Sequence, residues 1–103
     1  MSRPIVWRAE ARVALLELYD WISRRADPDT ALGYTAAIQQ HVDKLGDLPN
    51  WGSPRDDLAP GVRTISYRRR TTIAYQPFDD RIEIIHLAHG GRDLGRDFVA
   101  AED

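Results

Sequence analysis

The side chains in this sequence that could do chemistry are histidines and arginines. There is no cysteine, which removes thiolate nucleophiles, thiolate metal sites and disulfides. His86 and His89 stand three apart in the run Ile82-Glu83-Ile84-Ile85-His86-Leu87-Ala88-His89. On a strand that spacing turns them to opposite faces, and His41 lies far away in the chain, so the sequence predicts no metal site. His89 is the one candidate general acid–base, because imidazole titrates near neutrality. Its other reading is a structural histidine hydrogen-bonded near a strand end. His86, among Ile84, Ile85 and Leu87, is expected to be a satisfied core histidine. Ser23, Ser53 and Ser66 have no accompanying Ser-His-Asp pattern, and Gly90-Gly91 alone is no phosphate loop.

The candidate binding residues are cations. Arg63 opens a β-branched segment just after Gly61, where a planar guanidinium could grip a carboxylate or phosphate in two places or anchor the strand through an internal ion pair. Arg68, Arg69 and Arg70 are the densest positive charge in the chain. At a hairpin tip they suit an acidic surface or a nucleic-acid backbone, or simply a solvated turn. Arg92, after Gly90-Gly91, either pairs locally with Asp93 or joins Arg63 in a cationic concavity at the edge of a sheet.

These residues need elements to position them. Pro4 to Trp7 reads as an opening strand near a sheet edge, since Pro4 cannot donate to a ladder. From Ala9 to Ala26, Ala11, Leu15, Leu18, Tyr19, Ile22 and Ala26 recur at helical spacing. Val13, Leu16 and Trp21 widen that stripe into an apolar belt broader than one sheet covers, which makes Trp21 a binding candidate. Asp27-Pro28 reads as a helix cap followed by proline at the first helical position. A second helix to about Leu48 carries Ala31, Tyr34, Ile38, His41/Val42 and Leu45. The two should fold back as an antiparallel hairpin. Pro49-Asn50-Trp51-Gly52-Ser53-Pro54 ends it, and Arg55 to Gly61 is a polar connection. The period then changes to two over 62–67, 71–76 and 81–89, with hairpin-length connections at 68–70 and 77–80. Arg92 to Ala100 is expected to be a short closing helix. The fold class is therefore α+β in the order β-α-α-β-β-β, a helical hairpin on a curved, mostly antiparallel sheet.

The 103 residues carry 14 Lys+Arg against 16 Asp+Glu, and 43% are apolar. That fits one domain over 1–103 with a real core. A net charge of −2 argues against binding bulk nucleic acid through overall charge. No apolar run is long enough to span a bilayer. The absence of cysteine fits a reducing cytoplasm, and Met-Ser-Arg-Pro with no apolar segment behind it predicts an unprocessed chain. No pattern calls for a cofactor.

The ordered motifs carry a resemblance. Ala11-x-x-x-Leu15-x-x-Leu18-x-x-Trp21-Ile22, Pro28-x-x-Ala31, Leu45-x-x-x-Pro49-x-x-Gly52 and Pro60-Gly61-Val62-Arg63 lead to Ile73-Ala74-Tyr75-Gln76. The series closes with Ile82-x-Ile84-Ile85-x-Leu87-x-His89-Gly90-Gly91-Arg92-Asp93. Over about residues 4 to 94 this resembles the ParE/RelE superfamily of type II toxin–antitoxin toxins, and its ParE-like, plasmid-stabilization branch in particular. Thr72 stands where the RNA-cleaving RelE branch has an arginine, and no tyrosine follows Gly91. Gln76 replaces an arginine that many relatives have. The resemblance thus implies a cytoplasmic toxin that binds and inhibits DNA gyrase and forms a hetero-oligomer with a ParD-like antitoxin. It implies no catalytic residues and no membrane partner. The binding residues would be Arg63, Arg68, Arg69, Arg70, Arg92 and Trp21. The alternatives are a RelE-like ribosome-dependent endoribonuclease using Arg63, His89 and Arg92, or a non-toxic binding module of the same fold.

Overall fold

The computed structural model describes residues 2–90. The expected closing helix, and Arg92 with it, lie outside the described residues. Strand β1 (Ile5–Trp7) leads into α1 (Ala9–Arg25), α2 (Pro28–Asp43), a single 3-10 turn (Lys44–Gly46), and strands β2 (Ser53–Pro54), β3 (Arg63–Tyr67), β4 (Thr71–Pro77) and β5 (Ile82–His89). The helices begin and end for local reasons. Asp27 caps α2, its carboxylate accepting from Thr30 N–H at 2.7 Å and from the Thr30 hydroxyl at 3.0 Å, with Pro28 at the first helical position. These bonds hold the Asp27 carboxyl below its ordinary range. Burial in α1 falls on Ala11, Ala14, Leu18 and Ile22, and in α2 on Ala31, Thr35, Ile38 and Val42, each a single stripe at helical spacing.

The sheet runs β1-β5-β4-β3-β2, with β1 parallel to β5 and the other pairs antiparallel. The sequence order anticipated four of the five strands. The fifth, β2, is a two-residue contact of Ser53 and Pro54 with Thr64 and Arg63. A stretch that short carries no period of its own, and its proline is tolerated because the strand is an edge. The helical hairpin covers Ile65, Ile73, Tyr75, Ile82, Ile84 and Leu87. A smaller cluster of Val62, Ala74, Ile85 and Ala88 packs under Leu58 and Ala59 of the 55–61 connection. That is why β5 is apolar on both faces.

A bulge interrupts the β4–β5 ladder: Ala74 stands opposite His86, but Tyr75 stands opposite Ile84, leaving Ile85 as the extra residue. The alternation slips there, and His86 is half-buried rather than a core residue. The expectation from its apolar neighbours fails because those neighbours divide between the two faces.

Candidate functional site

The antiparallel ladders decide which candidate residues meet. Arg63 stands opposite Tyr75, and Tyr75 opposite Ile84, whereas Thr71 stands opposite His89 and the Gly90 N–H donates to the Arg70 carbonyl at 2.9 Å. Arg63 is therefore at one end of the sheet and the exit of β5 at the other. The step along β5 from Ile84 to His89 is roughly 17 Å at 3.3 Å per residue. The expected convergence of Arg63 with the Gly90-Gly91 exit is corrected: β3 and β5 run in the same direction, so the start of one lies far from the end of the other.

Arg63 has internal work. It donates to the Gly52 carbonyl at 2.6 Å and the Asn50 carbonyl at 3.3 Å. The same loop is held by Tyr75, whose buried hydroxyl accepts from Gly52 N–H and donates to the Pro49 carbonyl, both at 2.8 Å. Burial pushes the Tyr75 phenol above its ordinary range. At the neighbouring end of β5, Glu83 takes Arg8 and Arg81 at 2.6 Å each. Burial alone would raise the Glu83 carboxyl, but the hydrogen bonds from Arg81 and Arg8 outweigh it and hold it below the usual carboxylate range.

The other end of the sheet is cationic. Arg68, Arg69 and Arg70 form the β3–β4 connection and are exposed. The C-terminal turn of α1, whose Trp21 packs on His89 at this end, carries Arg24 and Arg25. Arg25 lies over the Trp21 ring at 4.5 Å, and that ring meets His89 edge-on at 5.3 Å. Trp21 is 42% exposed. Past Ile84 no described strand pairs with the β1 side of β5, because β1 stops at Trp7. Along this uncovered edge runs a groove of about 740 Å³, floored by Ala14, Leu18 and Leu87 and rimmed by Glu17, Trp21, Arg24, His86, His89 and Gly90. His86 and His89, expected on opposite faces, both reach it because the strand edge itself is open. Among the described residues no group of three His, Asp or Glu side chains could hold a metal ion.

His89 is engaged within the protein. Its Nδ1 is 2.7 Å from the Thr71 hydroxyl, which is 3.0 Å from the Tyr34 hydroxyl. Burial, and then the Arg70 charge, lower its pKa below the ordinary 6.5, so it is neutral at pH 7. His41 bonds the Ser66 carbonyl at 3.1 Å and meets Trp51 and Tyr67 edge-on. This surface can bind an anion. General acid–base chemistry on one phosphate needs its groups within hydrogen-bond reach of one another's target, and Arg63 and His89 lie too far apart for that.

A second feature lies beside β1. A groove of about 560 Å³ is lined by Ile5, Val6, Trp7, Arg12, Leu15, Leu16 and Gln39. Leu16 is 65% and Val6 41% exposed there, and the outer side of β1 pairs with no described strand. Sequence reading found the apolar excess of Leu16 but not the groove. The groove depends on β1 being the edge strand and only three residues long.

A family model described as the ParE toxin of the type II toxin–antitoxin system, parDE, matches residues 5–94. No curated protein shows a significant sequence match. Among solved structures, a chain from the chromosomal ParDE toxin–antitoxin system of P. aeruginosa superposes with a TM-score of 0.75 at 24% identity, covering 86% of this chain and 97% of that one. At that identity the likeness establishes a shared fold.

Proposed function

The chain belongs to the ParE toxin family of type II toxin–antitoxin systems, and on that premise we propose that it acts by binding. Free, it inhibits an essential cytoplasmic target, DNA gyrase. A cognate ParD-like antitoxin neutralises it in a hetero-oligomer by docking an apolar segment on the β1-edge groove. The observation that carries the antitoxin reading is the uncovered apolar surface around Leu16 and Val6, next to an edge strand free to accept another strand. Binding is favoured over cleavage because Arg63 and His89 do not share a site. In addition, Thr72 occupies the position at which the nuclease branch carries an arginine.

The experiment has two arms. Co-expression with the product of the adjacent reading frame should yield a stable complex that Leu16→Glu disrupts. The purified chain should block gyrase supercoiling and leave ribosome-bound message intact. Site-specific message cleavage in a translating extract would replace this reading with the endoribonuclease one.

A further inference from the structure

Trp51 is 44% and Leu48 54% exposed, yet the loop that carries them is tied down on both sides of the indole. Tyr75 holds the Pro49 carbonyl and the Gly52 N–H, and Arg63 holds the Asn50 and Gly52 carbonyls. Between these bonds the Trp51 N–H closes on the Leu48 carbonyl at 3.1 Å, so both apolar side chains leave one tight bend. The ring is also held. It meets His41 edge-on at 5.0 Å, and His41 meets Tyr67 at 5.2 Å. The His41 Nε2 donates to the Ser66 carbonyl at 3.1 Å, since a carbonyl can only accept.

Holding a solvent-facing loop in this way commits a buried tyrosine hydroxyl and a half-buried arginine, groups that are costly to take out of water. The core gains no apolar packing from Trp51, which belongs to neither buried cluster. What the bonds secure is the position of an indole in solvent. A large aromatic side chain that is ordered before contact makes an effective binding anchor, because little conformational freedom is left to lose on association.

Charge and position narrow the partner. The loop leaves the C-terminal end of α2, where Asp43 and Asp47 are exposed and form no ion pair among the described residues. Lys44 is the one opposing charge in that stretch, and the helix end itself is partially negative. Trp51 also directly precedes β2, the edge strand farthest from β1, about 19 Å across the sheet at 4.8 Å per strand. Gln39, which lines the β1-edge groove, and His41 point about 200° apart around α2. We propose that the Leu48–Trp51 loop is the contact by which the chain holds its target, the indole entering an apolar pocket on that protein whose basic rim faces Asp43 and Asp47. A nucleic acid is disfavoured, because both carboxylates repel phosphates. The inference rests on the binding-inhibitor reading above and adds the surface that does the binding. An antitoxin seated at the β1 edge then silences the chain by obstructing the approach of a large target, without covering Trp51.

The test uses the full chain and reads inhibition of gyrase supercoiling, growth arrest on induction, capture of the adjacent-frame partner, and Tm. Trp51→Ala should raise the half-inhibiting concentration at least about tenfold and abolish growth arrest, with partner capture unchanged. Trp51→Phe keeps an aromatic ring and should retain part of the activity. Asp43→Lys/Asp47→Lys exchanges exposed charges and should weaken inhibition at least about threefold with Tm nearly unchanged. Leu32→Glu, at a position 61% exposed near the start of α2, should act as wild type. A folded Trp51→Ala chain that inhibits fully, or that loses partner capture in parallel with inhibition, overturns the inference. If Trp51→Ala melts early, full activity in both Trp51→Phe and Asp43→Lys/Asp47→Lys overturns it instead. The underlying reading fails separately. Growth arrest that Trp51→Ala abolishes, in a chain that leaves gyrase untouched, keeps the contact and removes gyrase as the target. A wild-type chain with neither effect overturns both.

Discussion

Replacing Tyr75 by phenylalanine removes one oxygen atom, and the structure says what that atom does. The Tyr75 side chain is fully buried under the hairpin of helices. Its hydroxyl accepts from Gly52 N–H and donates to Pro49 C=O, both at 2.8 Å, so one group closes both ends of the turn that follows the 3-10 segment. Phenylalanine keeps the packing and leaves the buried Gly52 N–H without a partner, which costs about 1–3 kcal/mol. Pro49 is half-exposed, so its carbonyl can recruit water and adds little. We expect a loss of about 2 kcal/mol, or roughly 8–16 °C in Tm for a domain of this size. Arg63 grips the same loop through Gly52 C=O at 2.6 Å. Arg63→Met in the Tyr75→Phe background should therefore cost less than it does alone, because the loop is already loosened. Urea and thermal melts of the two single variants and the double variant provide the cycle. A Tyr75→Phe loss below about 0.5 kcal/mol, or strict additivity with Arg63→Met, would refute the idea that one strap holds this loop.

Four further expectations follow from the same contacts. Leu16→Glu, at a position 65% exposed, should leave Tm within a few degrees of wild type yet reduce capture of the adjacent-frame partner at least tenfold in a co-purification titration. Gly52→Ala should destabilise by about 1–3 kcal/mol in urea melts, because an added Cβ would sit 2.7 Å from Thr64 O and 2.8 Å from the Tyr75 hydroxyl. The Glu83 carboxyl, held low by Arg81 and Arg8, contributes stability above its unfolded pKa that is lost as pH falls through the folded value. Glu83→Gln should accordingly lower Tm at pH 7 and converge with wild type at strongly acidic pH. His89, lowered by burial and by Arg70, should titrate below 6.5 by NMR and move upward in Arg70→Ala. Because its neutral form is the one that fits, its share of stability is also lost on acidification.

The sequence disclosed elements by period and could not disclose their juxtaposition. The helix stripes through Ala11, Leu18 and Ile22 and through Ala31, Ile38 and Val42 were legible because a single buried face writes itself at three- and four-residue spacing. The Asp27-Pro28 start of α2 was legible because capping is local chemistry. Two things were not. The bulge at Ile85 depends on how β4 and β5 meet, and it moved His86 out of the core although its neighbours are all apolar. The direction of β3 relative to β5 likewise separates Arg63 from the β5 exit, and no property of either residue encodes that. The cationic end shows the same limit from the other side. Arg68-Arg69-Arg70 was visible as a charge run, but nothing in the helical stripe of α1 singles out Arg24 and Arg25. They come to the same end of the sheet because the end of α1 packs Trp21 against His89, with Arg25 over the Trp21 ring. The candidate site is thus a property of where two elements end. Sequence periodicity places the faces of elements well and their ends poorly, since the ends are set by contacts with chain segments far away.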